Sequence, residues 1–117
     1  MYQLNKLLPT NIMEQPNIDY IEKVSYKSPE FKDKIIQIIK EELPIEINLY
    51  RQYISVQDYT LAANMVHKLK HKIGVFGFHK GYLLAQSFED NLREGKVVNQ
   101  SDFEKILMKM EDFVNKM

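Results

Sequence analysis

Apolar residues recur along this chain at helical spacing, three and four apart, and the pattern predicts helices nearly throughout. It is clearest across residues 59–80, YTLAANMVHKLKHKIGVFGFHK, the stretch the rest is organised around. At about 100° per residue, Tyr59, Ala62, Met65, Val66, Leu69, Ile73 and Phe76 fall on one side of that helix. Asp58 is placed to cap its start, and Gly77 to end it in a left-handed turn. Upstream, Ser28-Pro29-Glu30 reads as a capping residue followed by proline at the first helical position. From there Phe31, Ile35, Ile38, Ile39, Ile45 and Leu49 predict the buried face of one long helix to about Ser55, which Pro44 should bend or split. Asn17 is a candidate cap for a short helix over residues 18–24, with Ile18, Ile21 and Val24 sharing a face.

Downstream, His79-Lys80-Gly81 reads as a turn leading into a helix over residues 82–93. Leu84, Phe88 and Leu92 make its apolar face, with Leu83 and Ala85 towards the edges, and Glu94-Gly95-Lys96 closes it. Ser101 with Glu104 forms a capping box for the last helix. Its stripe is Phe103, Ile106, Leu107, Met110, Phe113, Val114 and Met117. Short connections favour antiparallel neighbours. The expected fold is therefore all-α, an antiparallel up-down four-helix bundle with an additional short N-terminal helix. Residues 1–16, punctuated by Pro9 and Pro16, read as an N-terminal arm, and residues 17–117 as the bundle.

Composition narrows the function classes. Lys plus Arg equals Asp plus Glu at 16 each, so a bulk nucleic-acid binder or a polybasic membrane anchor is not expected. Cysteine is absent, which removes disulfides and thiolate metal sites. No signal-type leader and no membrane-length apolar run is apparent, so a cytoplasmic monomer is expected.

Residues 59–80 hold three histidines and four lysines but no carboxylate. His67 projects almost opposite the centre of the apolar arc, so its ring should stand at or near the surface. Ala63 and Gly74 are small residues on the turns around it, and Lys70 and His71 flank it on the next turn. With a pKa near about 6.5, imidazole offers a neutral, nucleophilic nitrogen at cellular pH while its other nitrogen holds a proton. A lysine at the spacing of Lys70 could steer a phosphoryl group. No serine or cysteine nucleophile is partnered to His67, and no glycine-rich phosphate loop of the P-loop type is present. These features suit a phosphorylatable histidine that depends on a partner for metal and acid chemistry.

The segment HKLKHKIGVFG resembles the phosphoacceptor motif of histidine-containing phosphotransfer (HPt) domains, H-x-L-K-G with a further glycine ten positions after the histidine. His67, Leu69, Lys70 and Gly77 match it. IDYIEKVSYKSPEF, EELPIEINLYRQYISVQDY and SFEDNLREG are similar to other parts of the family, so the likeness spans roughly residues 17–116. The resemblance implies a helical bundle whose surface histidine accepts a phosphoryl group at Nε2 from a receiver-domain aspartate or a histidine kinase. Such a domain then passes the group to another receiver. It implies no cofactor of the chain's own, Mg²⁺ being supplied by the receiver, and no autonomous kinase activity. It also implies that Lys70 sits beside the phosphoryl group, and that Glu89, with Gln86 one turn before it, orients the His67 ring from the facing helix. Receiver domains of response regulators, or a hybrid histidine kinase, are the implied partners.

His71 departs from the motif, standing where the family has glycine. Either it points sideways and donates to the phosphoryl oxygens, with Gly74 giving clearance, or the site is impaired and the bundle serves only for docking. A third reading is metal binding, because His67 and His71 are four apart on one helix, a known Zn²⁺ ligand spacing. Against it, the H-E-x-x-H glutamate is missing and Lys70 is close by.

Overall fold

The computed structural model describes residues 14–117, and all regular structure among them is helical. The helices are α1 (Asp19–Val24), α2 (Pro29–Ser55), α3 (Tyr59–Val75), α4 (His79–Arg93) and α5 (Gln100–Asn115). Helices α2 to α5 form an up-down bundle, and α1 is the short N-terminal addition. None of the helices among the described residues is long and apolar enough to cross a membrane.

Local chemistry sets most of the boundaries. Ser28 Oγ accepts from the Phe31 amide at 3.2 Å and Asp58 Oδ1 from the Leu61 amide at 3.1 Å, each satisfying a first-turn donor that the helix cannot. Every connection turns on a residue with positive φ: Lys27, Gln57, Gly77, and in the last one both Gly95 and Asn99. Gly77 is doubly constrained, since a Cβ there would also stand 2.9 Å from the Asn17 side chain.

Helix α3 is the hub. It packs between α2 and α4, and α5 closes the bundle against both of those helices. Ala62, Met65, Val66, Leu69, Ile73 and the following Phe76 are all buried, as the periodicity predicts. Around them lie Phe88 and Leu92 from α4, Phe103, Leu107 and Met110 from α5, and Leu43, Ile47 and Tyr50 from α2. The Tyr50 ring meets Phe103 edge-on at 5.3 Å, and its hydroxyl donates to Glu104 at 3.0 Å. Burial, with the Glu104 carboxylate adding to it, pushes the Tyr50 phenol far above its ordinary pKa.

Four sequence expectations are corrected. The α2 core face is Ile39, Leu43, Ile47 and Tyr50, while Phe31, Ile38 and Ile45 are exposed. Pro44 does not split that helix, which runs unbroken from Pro29 to Ser55 with the proline exposed on its solvent side. Helix α4 begins at His79, three residues early, so His79-Lys80-Gly81 is its first turn. Gly81 allows this, because a Cβ would stand 3.1 Å from Ile73 and from the Phe78 ring. The capping box of α5 does not form; Asn99 precedes the helix in the left-handed region, and Glu104 instead accepts from Tyr50 and Gln100.

Of the predicted arm, residues 1–13 lie outside the described residues. Glu14 reaches α4, its Oε1 accepting from the Lys80 amide at 2.6 Å and the Gly81 amide at 3.3 Å. Lys109 donates to the Glu14 carbonyl, and the Asn17 amide donates to the carbonyl of Phe76 at 2.7 Å.

Candidate functional site

The polar side of α3 meets α4 in a cluster built from His67, Lys70 and His71 on one helix and Gln86, Glu89 and Arg93 on the other. The His67 side chain is 49% exposed, while those of Lys70 and Glu89 are only 5% and 8% exposed. Glu89 is the centre. Its Oε1 accepts from Lys70 Nζ at 3.1 Å, and its Oε2 from Arg93 Nη2 at 3.0 Å and Arg93 Nε at 3.3 Å. Both oxygens lie 3.2 Å from His67 Nδ1.

Burial by itself would raise the Glu89 pKa. The hydrogen bonds from Lys70, Arg93 and His67 outweigh it and hold the carboxyl below the ordinary value. Glu89 is therefore a carboxylate that can only accept, so the proton between it and His67 belongs on Nδ1. In the neutral ring the lone pair then sits on Nε2, on the side away from Glu89.

That second nitrogen faces His71. The two Nε2 atoms are 3.3 Å apart and the rings meet edge-on, with centroids 4.8 Å apart. The bond is at the long edge of hydrogen-bond geometry. His71 is exposed, so its ring can turn into solvent.

Lys70 is not on the solvated face. Its ammonium lies between the helices, donates to Gln86 Oε1 at 2.6 Å as well as to Glu89, and stands 5.7 Å from the centroid of the Tyr82 ring. Gln86 accordingly touches Lys70 and Asp90, not His67. Gly74 adjoins Tyr82: a Cβ would come within 3.1 Å of that ring, so the room it leaves is filled by Tyr82. Ala63 is in the core, and His79 is an exposed first-turn residue of α4.

The lysine-rich face is thinner than the sequence suggests. Lys72 turns to α2, where it pairs with Glu42 at 2.8 Å and Glu46 at 3.0 Å, which leaves Lys68 and Lys80 as the exposed cations of this stretch. Arg93 was not singled out by sequence reasoning, although its placement four residues after Glu89 is the spacing of a helical ion pair. It also donates from Nη1 to Asn64 Oδ1 at 3.2 Å, tying α4 back to α3. Beside it opens a cleft of about 450 Å³, lined by Tyr53, Leu61, Met65, His67, Lys68, Glu89 and Arg93.

Comparison with protein-family models, with curated proteins and with solved structures finds no match to this chain. Among the described residues no group of three or more His, Cys, Asp and Glu side chains is arranged to enclose a metal ion.

Proposed function

We propose that this bundle is a phosphoryl carrier, taking the group onto His67 from an aspartyl phosphate, or from a histidine kinase, and handing it to another receiver domain. The observation that carries this reading is a half-exposed imidazole whose Nδ1 is held by a buried, ionised Glu89. That contact leaves Nε2 as the nucleophile. Its lone pair attacks phosphorus, the N–P bond forms, and the P–O bond to the donor aspartate breaks with its electron pair returning to that carboxylate. The phosphorylated ring keeps its Nδ1 proton and is cationic, and Glu89 offsets that charge. Onward transfer is the same exchange run towards a second aspartate.

Lys70 supports Glu89 from beneath, and Arg93 fixes its other oxygen, so the pair acts mainly on the orientation of the imidazole. His71 must swing aside before Nε2 can react. Breaking one long, exposed hydrogen bond costs about 1 kcal/mol or less, small beside a docking energy. Once turned, its ring can donate to phosphoryl oxygens. The receiver would bring Mg²⁺, and the cleft beside His67, with the exposed Lys68 and the half-exposed Arg93 in its lining, suits an acidic partner surface. The reading places the chain in the cytoplasm as a monomeric carrier with no kinase activity of its own.

A second reading, a docking module that transfers nothing, is favoured by the His71 contact on Nε2 and by the burial of the Lys70 ammonium. One experiment separates them: incubation of the chain with pre-phosphorylated receiver domains. Acid-labile label on wild type and none on His67→Gln, with unchanged helical circular dichroism, is the expected result. Label persisting in His67→Gln would move the acceptor elsewhere, and no label on either protein would favour docking alone.

A further inference from the structure

We propose that His67 and His71 form a two-point clamp for a divalent transition ion of the imidazole-preferring class, Zn²⁺ above all, and that filling it silences His67. Two nitrogens bound to one tetrahedral zinc at about 2.0–2.1 Å stand about 3.3–3.4 Å apart. The two Nε2 atoms already lie at 3.3 Å. Rotation of each ring about its side-chain torsions would aim both lone pairs at a common point. Both side chains leave the same rigid stretch of α3, one turn apart, between the buried residues Val66, Leu69 and Ile73, so little backbone ordering is left to be lost.

The surroundings fit a cation better than the sequence suggests. The Glu89 carboxylate at His67 Nδ1 is the outer partner that zinc-binding histidines characteristically have, and it keeps the lone pair on Nε2. The Lys70 ammonium is turned inward and its hydrogen bonds go to Gln86 and Glu89, and Arg93 is held on the other oxygen of Glu89. With two protein ligands, the remaining positions fall to solvent or to a partner's side chain, so binding is modest and reversible. Imidazole pairs suit Zn²⁺ and Cu²⁺, whereas Mg²⁺ prefers oxygen ligands and would not compete. The silencing rests on the phosphoryl-carrier reading, because both uses need the same Nε2 lone pair.

The test titrates the tag-free, metal-free chain with Zn²⁺ alone, by calorimetry and by imidazole NMR. One equivalent should bind, with the His67 and His71 ring signals moving together and those of His79 unchanged. His71→Gln should weaken binding by more than about 100-fold, beyond the roughly 10–100-fold that loss of an outer partner costs, and His79→Gln should leave it unchanged. Equal binding by His71→Gln, or no binding by wild type, overturns the clamp. In the phosphorylated-receiver assay, Zn²⁺ should lower the labelling of wild type by a larger factor than that of His71→Gln, each read against its own metal-free rate. Labelling of wild type unaffected at saturating Zn²⁺ overturns the silencing. Failure to accept label in the metal-free state, with both rings still binding Zn²⁺, would instead sink the carrier reading and leave the clamp standing.

Discussion

Lys70 and Lys72 stand two positions apart on α3 and leave it in opposite directions. Lys72 reaches α2 and pairs with Glu42 and Glu46; Lys70 reaches α4 and pairs with Glu89 and Gln86. Each is an ammonium lodged between helices. Burial by itself would lower the Lys72 pKa, and the hydrogen bonds to Glu42 and Glu46 outweigh it, raising the value. The difference lies in the carboxylates. Glu46 leaves Oε1 buried without a partner, and its contacts end at Lys72. Glu89 uses both oxygens and passes its influence to a half-exposed imidazole. The first arrangement only fastens two helices, while the second fastens two helices and sets the proton position of a surface ring.

The largest expected effect comes from Glu89→Ala, which strands the Lys70 ammonium in the seam. Loss of a buried partner of this kind costs about 3–5 kcal/mol, read as a shift in urea midpoint. Glu46→Ala should cost about 1 kcal/mol or less, because Lys72 keeps Glu42 and an unsatisfied buried oxygen is removed. Equal losses in the two variants would erase the distinction between the clamps.

pH sharpens the contrast. A carboxyl whose folded pKa lies below its unfolded value adds stability above the unfolded value, and that stability fades as pH falls through the folded one. Glu89 and Glu42 both have this sign, starting from an ordinary value of 4.5. Glu42 is half exposed, so Glu89→Gln should flatten the acid limb of the stability curve more than Glu42→Gln does. Lys72 has the mirror sign, its contribution present below 10.5 and lost as pH rises through its raised value, so Lys72→Met should alter the alkaline limb. The smallest effect belongs to His67→Gln, within about 0.5 kcal/mol of wild type, as expected of an exposed side chain whose loss leaves Glu89 paired with Lys70 and Arg93. A large loss there would make His67 a structural residue.

The periodicity of α3 was legible because its apolar arc is narrow and its polar side well marked. The phase of α2 was not, since Ile35, Ile36, Ile38, Ile39, Ile45 and Ile47 wrap most of the helix and only packing chooses among them. The glycine turns at Gly77 and Gly95 could be read from composition, but Lys27 and Gln57 adopt the same left-handed backbone without the residue that announces it. At the site, the meeting of Glu89 with His67 was expected only through the family resemblance of SFEDNLREG, and not from periodicity. The inward turn of Lys70 could not be expected, because a lysine beside a surface histidine looks solvated until the facing helix presents a carboxylate and an amide to it.

Glu14 occupies the leading amides of the helix that also carries Glu89. A fragment trimmed to begin at residue 17 would bare that helix end and free Lys109 from the Glu14 carbonyl. A cut between residues 14 and 17 therefore reaches the histidine's support through that helix, well over a turn away from the histidine itself.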